Sequence, residues 1–313
     1  MLENRDGKFI DVTAERAPEL NRIGMVTAAV STDHNNDGNL DLIISGEWMK
    51  ISILENGTEG FKLMNENYTG LNNTGGWWYA LALDDVDKDG DQDLITGNLG
   101  QNYKYQALKD QPFKVFSNDF DNNQKVDIIL SYPEKGTYYP LRGRQFSSEQ
   151  LPQIEAKFPD YSSFATASVY DVIGHDQAEK SYERNAHTFA NGVYLNEDDK
   201  YVSIPFSNMN QISSINSILL YDINDDGYND LIMGGNLYSS EVETPRNDAS
   251  YGHILINQKD GSYKTVAVER TAFFGEGEIK AIRSIQIKGV GDAFLVAQNN
   301  GRMQLYTYNK LVK

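Results

Sequence analysis

The sequence predicts an all-β chain: a β-propeller of five blades, with six as the alternative, each blade a four-stranded antiparallel sheet. Four stretches repeat one plan, STDHNNDGNLDLIISG (31–46), LDDVDKDGDQDLITGN (83–98), SNDFDNNQKVDIILSY (117–132) and YDINDDGYNDLIMGGN (221–236). Each is a β-type run, an Asp/Asn-rich turn, and an Asp that opens an aliphatic run. Recurrence of one strand–turn–strand unit marks small sheets stacked in a ring or row. The aliphatic runs are short and bounded by polar turns, the pattern of strands buried on both faces. Setting aside a non-β stretch leaves roughly 54 residues per unit for five units, near the ~40–50 typical of propeller blades.

In chain order, GKFIDVTA near the N terminus reads as an orphan outer strand. Paired with the last blade, it would close the ring and remove an exposed edge. KISILEN and GFKLMNE follow the first repeat, KYQALK the second and TYYPLRG the third. ANGVYLN and KYVSIPF come next, and the region 187–206 is the extra unit of the six-blade alternative. GHILINQ and SYKTVAV follow the fourth repeat. The last unit, IKAIRSIQIK, AFLVAQNN and RMQLYTYN, has three strands and a short GVGD turn without an Asp cluster.

One stretch breaks the β pattern. Leu151, Ile154 and Phe158, then Phe164, Val169, Val172 and Ile173, recur at helical spacing. Ser147-x-x-Gln150 and Ser168-x-x-Asp171 read as capping boxes, and Pro159 separates two helical pieces. The expectation is a single domain over 1–313 with an α-helical insertion at 144–185.

Composition narrows the function. With 28 Lys+Arg against 45 Asp+Glu the formal charge is −17, and no basic run is present to recognise phosphate, which argues against nucleic acid. Cysteine is absent, which removes thiolate metal sites and cysteine nucleophiles. The longest apolar runs, such as ILLY at 218–221, fall far short of the ~18 residues of a membrane-spanning helix. The opening MLENRDGKFIDV carries neither the basic nor the apolar region of an export signal.

Aligned, the four turns place oxygen-bearing side chains at loop positions 1, 3, 5 and 9. These are Asp33, Asn35, Asp37 and Asp41 in the first, and Asp85, Asp87, Asp89 and Asp93 in the second. The third offers Asp119, Asp121, Asn123 and Asp127, the fourth Asp222, Asn224, Asp226 and Asp230. Gly38, Gly90 and Gly227 stand at position 6, where the chain must bend sharply. The position-7 carbonyls belong to Asn39, Asp91, Lys125 and Tyr228. Hard oxygen donors around a sharp turn suit Ca²⁺, and the lack of His or Cys at ligand positions disfavours zinc. An EF-hand would need a bidentate Glu at position 12, where Ile44, Thr96, Leu130 and Met233 stand instead. Metal-free hairpin turns are the competing reading, since Asp, Asn and Gly favour turns anyway. Four copies in one register favour the metal. Up to four Ca²⁺ are expected, held weakest at 119–127, where Gln124 replaces glycine and Asn123 removes a charge. Four ions would bring the formal charge from −17 to −9.

The D-x-[DN]-x-[DN]-G-x-x-D turn leading into D-L-I-x-x-G resembles the FG-GAP/VCBS repeat, the blade of integrin α-type β-propellers. GKFIDVTAE, SGEWMKISILEN, GWWYALALDDVDKDGDQDLITGNLGQN and ETPRNDASYG are similar to propeller regions of bacterial ASPIC/UnbV, cartilage-acidic-protein-like secreted proteins. The resemblance implies Ca²⁺ in the loops between the first and second strands of each blade, and no established catalytic activity. The short ring, the insertion and the last blade without an Asp loop depart from the integrin pattern.

With calcium on one face, the turns between second and third strands lie on the other. That face is expected to gather Glu47, Trp48, Asn98, Asn102 and Tyr103, with Trp77 and Trp78 near its rim. The long loop at 236–252 adds Glu241, Glu243, Arg246, Asp248 and Tyr251, and the last blade adds Asn299, Asn300 and Arg302. Aromatics among Asn, Arg and carboxylates suit sugar stacking or peptide capture. Packing between blades is the plainer role for Trp77 and Trp78, and Arg246 with Asp248 can serve to order its own loop. The four histidines are scattered, with His34 expected to face solvent, and no HExxH, G-x-S-x-G or P-loop pattern occurs.

These features lead to a non-catalytic, calcium-stabilised recognition module for an extracellular protein or glycan. It would be part of a longer secreted polypeptide at an extracellular, periplasmic or outer-surface location. A polysaccharide lyase or glycoside hydrolase on the same scaffold is the alternative.

Overall fold

The computed structural model describes residues 1–240 and 244–307. The chain divides into two compact units, one formed by Met1–Lys104 with Phe189–Lys313 and the other by Tyr105–Thr188. The fold is mostly β, built of antiparallel sheets of the propeller type.

In the larger unit the first sheet runs Met25–Thr32, Asp41–Met49, Ser52–Gly57 and Gly60–Leu63 in sequential hairpins, and Gly76–Trp77 adds to its second strand. The second sheet pairs Ala80–Asp84 with Asp93–Gly97, then continues with Gly192–Glu197 and Lys200–Pro205. KYQALK therefore does not extend this sheet, and the hairpin from 187–206 is not a unit of its own. The aliphatic edge of Asp93–Gly97 pairs with Gly192–Tyr194, and Thr96 Oγ1 donates to the Gly192 carbonyl at 2.9 Å. The third sheet is Ile215–Tyr221, Asp230–Gly235, His253–Asn257 and Tyr263–Thr265. The fourth has three described strands, Glu278–Ile287, Gly291–Asn299 and Gln304–Thr307.

The first strands of these four sheets pack against one another in succession, as the inner strands of adjacent blades do. Each middle sheet is thereby covered on both faces, which explains its uninterrupted aliphatic strands. Leu94 joins Ile43, Ile53 and Trp78 between the first and second sheets, while its neighbour Ile95 joins Val193, Ile215 and Leu231 between the second and third. Ile232 in turn faces Ile279, Ile282 and Phe294 of the fourth. In the first, second and third sheets a glycine follows the aliphatic run of the motif strand, and it has a packing reason. A Cβ on Gly46, Gly97 or Gly235 would lie 2.0 Å from Met25 O, 2.2 Å from Ile215 O or 1.7 Å from Ser214 O. Backbone passes backbone there, and no side chain fits.

Among the described residues the N-terminal strand does not pair with the last sheet. Lys8–Asp11 pairs with Leu2–Arg5 in a separate hairpin. Asp6 and Gly7 both have positive φ, 52° and 81°, the backbone of a two-residue type I′ turn. An Asp-Gly pair between two short strands favours that local hairpin over a distant partner, because its loop closes over two residues only.

In the smaller unit the third repeat forms its own sheet, ordered Thr137–Pro140, Asp127–Glu134, Phe113–Asn118 and Tyr182–Ala186. Helices at Arg144–Gln150, Gln153–Lys157, Tyr161–Ala165, Val169–Ile173 and His175–Lys180 lay Leu151, Ile154, Phe164 and Val172 against its Phe116 and Ile129. The last residues of the expected helical stretch are strand, since Tyr182–Ala186 pairs with Phe113–Ser117. The capping box at Ser168 is formed, with Asp171 N–H donating to Ser168 Oγ at 3.0 Å and Ser168 N–H to Asp171 Oδ2 at 2.9 Å. Ser147 is not a cap. It lies inside the helix that starts at Arg144, and its hydroxyl donates to the Arg142 carbonyl at 3.1 Å.

Candidate metal centres and the opposite face

The four Asp-rich loops share one backbone path. Position 4 (Asn36, Lys88, Asn122, Asp225) and position 6 (Gly38, Gly90, Gln124, Gly227) have positive φ in every copy. Gln124 holds φ 67° without being glycine, so the third loop carries strain that the others avoid.

Three hydrogen bonds recur in all four loops. The position-6 N–H donates to the position-1 carboxylate: Gly38 to Asp33 at 3.0 Å, Gly90 to Asp85 at 3.2 Å, Gln124 to Asp119 at 2.9 Å and Gly227 to Asp222 at 2.8 Å. The position-7 N–H donates to the position-5 oxygen, with Asn39, Asp91, Lys125 and Tyr228 bonded to Asp37, Asp89, Asn123 and Asp226 at 2.8–3.0 Å. That leaves the position-7 carbonyls aside from these bonds. The position-2 N–H donates to the position-9 carboxylate, from His34, Val86, Phe120 and Ile223 to Asp41, Asp93, Asp127 and Asp230.

Position 9 anchors each loop. Asp41, Asp93, Asp127 and Asp230 are all buried. In the larger unit the second oxygen of each accepts a backbone N–H from the third strand: Asn56 to Asp41 at 2.8 Å, Asn196 to Asp93 at 2.8 Å and Asn257 to Asp230 at 2.9 Å. In the third loop Gln150 Nε2 reaches Asp127 at 3.4 Å instead. The aspartate thus ties each loop to its own sheet. The recurring Asn at the end of ILEN, VYLN and ILIN is the sequence signal for this clamp, and the repeat pattern alone does not single it out.

The donor set suits a hard dication. Carboxylate oxygens of Asp85, Asp87 and Asp89 lie within 4.8 Å of one another, as do those of Asp119, Asp121 and Asp127. Among the described residues, Asp85 Oδ1 is buried without a hydrogen-bond partner. Burial pushes the Asp93 carboxyl up to about 7, a penalty that a bound cation would offset. Asn35, Asn224 and the position-7 carbonyls add neutral oxygens, the mixture Ca²⁺ takes.

His34 is buried rather than solvent-facing. Its ring packs edge-on to Tyr68 at 4.9 Å and its Nε2 lies 3.1 Å from the Tyr201 hydroxyl, filling the space beside the loop.

The residues expected on the opposite face divide. Trp78 is fully buried, its indole N–H donating to the carbonyls of Thr74 at 2.9 Å and Met49 at 3.1 Å, so it is core and leaves the candidate surface. Asn98 is buried too, its side-chain oxygen accepting from Trp77 N–H at 3.0 Å and Leu99 N–H at 2.8 Å. Trp48, Trp77 and Tyr103 are half-buried, and Trp77 meets Trp48 at 5.3 Å and Phe189 at 5.5 Å. Arg246 pairs with Asp248 at 3.1 Å and lies over the Tyr238 ring. Asn102, Asn299, Asn300 and Arg302 are exposed, Asn299 donating to Glu278 at 2.9 Å. Glu47 is half-buried, and Glu241 and Glu243 lie outside the described residues.

Tyr251 borders a cavity of about 440 Å³ that sequence reasoning did not anticipate. It stacks on Phe274 at 4.0 Å, and Met209, Ile212, Val266 and His253 line the rest. His253 Nε2 sits 3.1 Å from Ser250 Oγ, and burial pushes its imidazole down to about 4. A histidine free to ionise near 6.5 when unfolded but held neutral here stabilises the fold fully above pH 6.5. That contribution is lost as pH falls through 4, about 3 kcal/mol over the window. Urea unfolding of the wild type should therefore lose more stability between pH 7 and pH 4 than unfolding of His253→Gln. Equal losses would contradict the assignment.

Residues 33–96, spanning the first two loops, match the model of the FG-GAP-like repeat. No curated protein matches the chain. Among solved structures, the crystal structure of BBS1N in complex with ARL6DN, soaked with lead, is 13% identical over 91% of this chain and 80% of that chain. Its TM-score of 0.23 is too low to bear on the fold.

Proposed function

We propose that the protein is a non-catalytic, calcium-stabilised propeller module that presents loops for recognition of a protein or glycan outside the cytoplasm. The observation that carries this reading is the fourfold recurrence of one hydrogen-bonded Asp loop, one copy of which has an unpartnered buried carboxylate oxygen. Asp33, Asn35, Asp37, Asp41 and the Asn39 carbonyl would hold the ion in the first loop, and the equivalent positions would do so in the others. Bound calcium supplies the positive charge that lets clustered carboxylates remain ionised at close range. Millimolar calcium fills even weak loops of this kind, which favours an extracellular or periplasmic setting. The likeness of several segments to secreted ASPIC/UnbV-type propellers points the same way. Tyr251, the Trp48–Trp77 pair and the cavity beside Phe274 are the recognition surface in this reading.

Thermal unfolding tests it. Calcium is expected to raise the melting temperature by several degrees, EDTA to lower it, and Mg²⁺ to leave the loss unrestored, since ligand binding to the native state alone shifts the unfolding equilibrium. A melting temperature indifferent to chelation would overturn the calcium reading.

A further inference from the structure

The four loops are alike in backbone but not in the charges around them. Lys259 sits in the turn after the third strand of the third sheet, held by its own N–H donating to Asn257 Oδ1 at 2.7 Å. Asn257 is the residue whose N–H clamps Asp230. So placed, the Lys259 ammonium pairs with Asp226 Oδ2 at 3.1 Å, on the position-5 carboxylate. A second ammonium comes from the neighbouring loop. Lys88 occupies position 4 of 85–93, but its Nζ donates to the Gly227 carbonyl in 222–230. Both cations lie over the Tyr228 ring, Lys88 at 4.1 Å and Lys259 at 4.8 Å from its centre.

The loop that lends Lys88 has the opposite surroundings. The equivalent turn after Asn196 carries Asp198 and Asp199, which line one cavity with Asp91. Lys200, the nearest lysine in that turn, faces Glu197 at 3.7 Å. Asp85 keeps an unpartnered oxygen, while in 222–230 the matching Asp222 oxygen accepts Asp226 N–H at 3.1 Å.

Resting on the calcium reading above, we propose that Lys88 and Lys259 make 222–230 a deliberately weak calcium loop and leave 85–93 the tight one. One ammonium engages a ligand oxygen, and both add positive charge where a dication must sit. A unit charge some 5–6 Å from a dication in water-like surroundings weakens binding by about tenfold. The two loops are also joined side by side. Asn229 Nδ2 donates to Asp84 at 3.1 Å and Asn257 Nδ2 to the Val86 carbonyl at 2.9 Å, so the lysines act across a fixed junction.

Calcium titration of the full chain by calorimetry tests this. Wild type should show at least one tight and one weak class of site. Lys259→Met should tighten the weak class about tenfold, and Lys259→Arg should behave as wild type. In an Asp226→Asn background Lys259→Met should still tighten the weak class, because the ammonium repels the ion directly. Unchanged affinity in Lys259→Met, or a tightening in Lys259→Arg as large as in Lys259→Met, overturns the proposal while the calcium reading stands. A wild type that binds no calcium overturns both.

Discussion

Replacing Gly235 by alanine is expected to destabilise the protein by about 4 kcal/mol or more, one of the largest effects open to a single methyl group. The new Cβ would lie 1.7 Å from the Ser214 carbonyl oxygen, 2.6 Å from its carbon and 3.0 Å from Ile215 Cα. All three are backbone atoms, so no side chain can swing away, and the first strand of the third sheet must move. Ile215 is buried and its N–H donates to the Asn98 carbonyl at 3.0 Å, so that movement also strains the second sheet. Gly143→Ala is the contrast. Nothing lies within 4 Å of its Cβ position and its φ is −65°, so stability should change by less than about 0.5 kcal/mol. Urea denaturation of both variants decides the point. A Gly235→Ala loss under 1 kcal/mol would show that the two backbones are not in enforced contact.

Asp41→Ala should cost about 4 kcal/mol. The side chain is 1% exposed, and its two oxygens accept the N–H groups of His34 at 3.0 Å and Asn56 at 2.8 Å. Alanine would leave both donors without acceptors where water has little access, at about 1–3 kcal/mol each, and would add a small cavity. Asp37→Ala, at an exposed position of the same loop, removes ligand capacity but strands no buried donor. The two variants should therefore separate cleanly in calcium-free buffer, with Asp41→Ala strongly destabilised and Asp37→Ala close to wild type. Equal stabilities there would mean that Asp41 does not clamp the loop to its sheet.

Much of this was legible from residues alone. The four loops, their positive-φ glycines and the aliphatic strands follow from period and turn chemistry, which act over a few residues. The Ser168–Asp171 cap is legible for the same reason. Long-range features were not. That Asp93–Gly97 takes Gly192–Tyr194 as its neighbour depends on a partner far along the chain, and nothing local in KYQALK forbids the nearer choice. The need for glycine at 46, 97 and 235 arises only once the facing carbonyls of Met25, Ile215 and Ser214 are in place. Packing between blades, the plainer role for Trp78, is the one it takes, but which two sheets cover it is not visible from its own neighbours in sequence. The Asp6-Gly7 hairpin, by contrast, rests on two adjacent turn residues and is local enough to read from sequence.

The way the second sheet is assembled has a consequence for synthesis. Its first two strands leave the ribosome roughly 95 residues before the third, a delay of about 5–20 s at ordinary rates. During that interval the aliphatic edge of Asp93–Gly97 has no partner, the condition in which nascent strands pair wrongly or recruit chaperones. The intervening residues 105–188 have their own sheet, their own helices and their own Asp loop, so they can mature while the edge waits. Birth order and spatial order thus run differently in this protein, and its slowest vectorial step should be the late return of Gly192–Glu197 to a strand made long before.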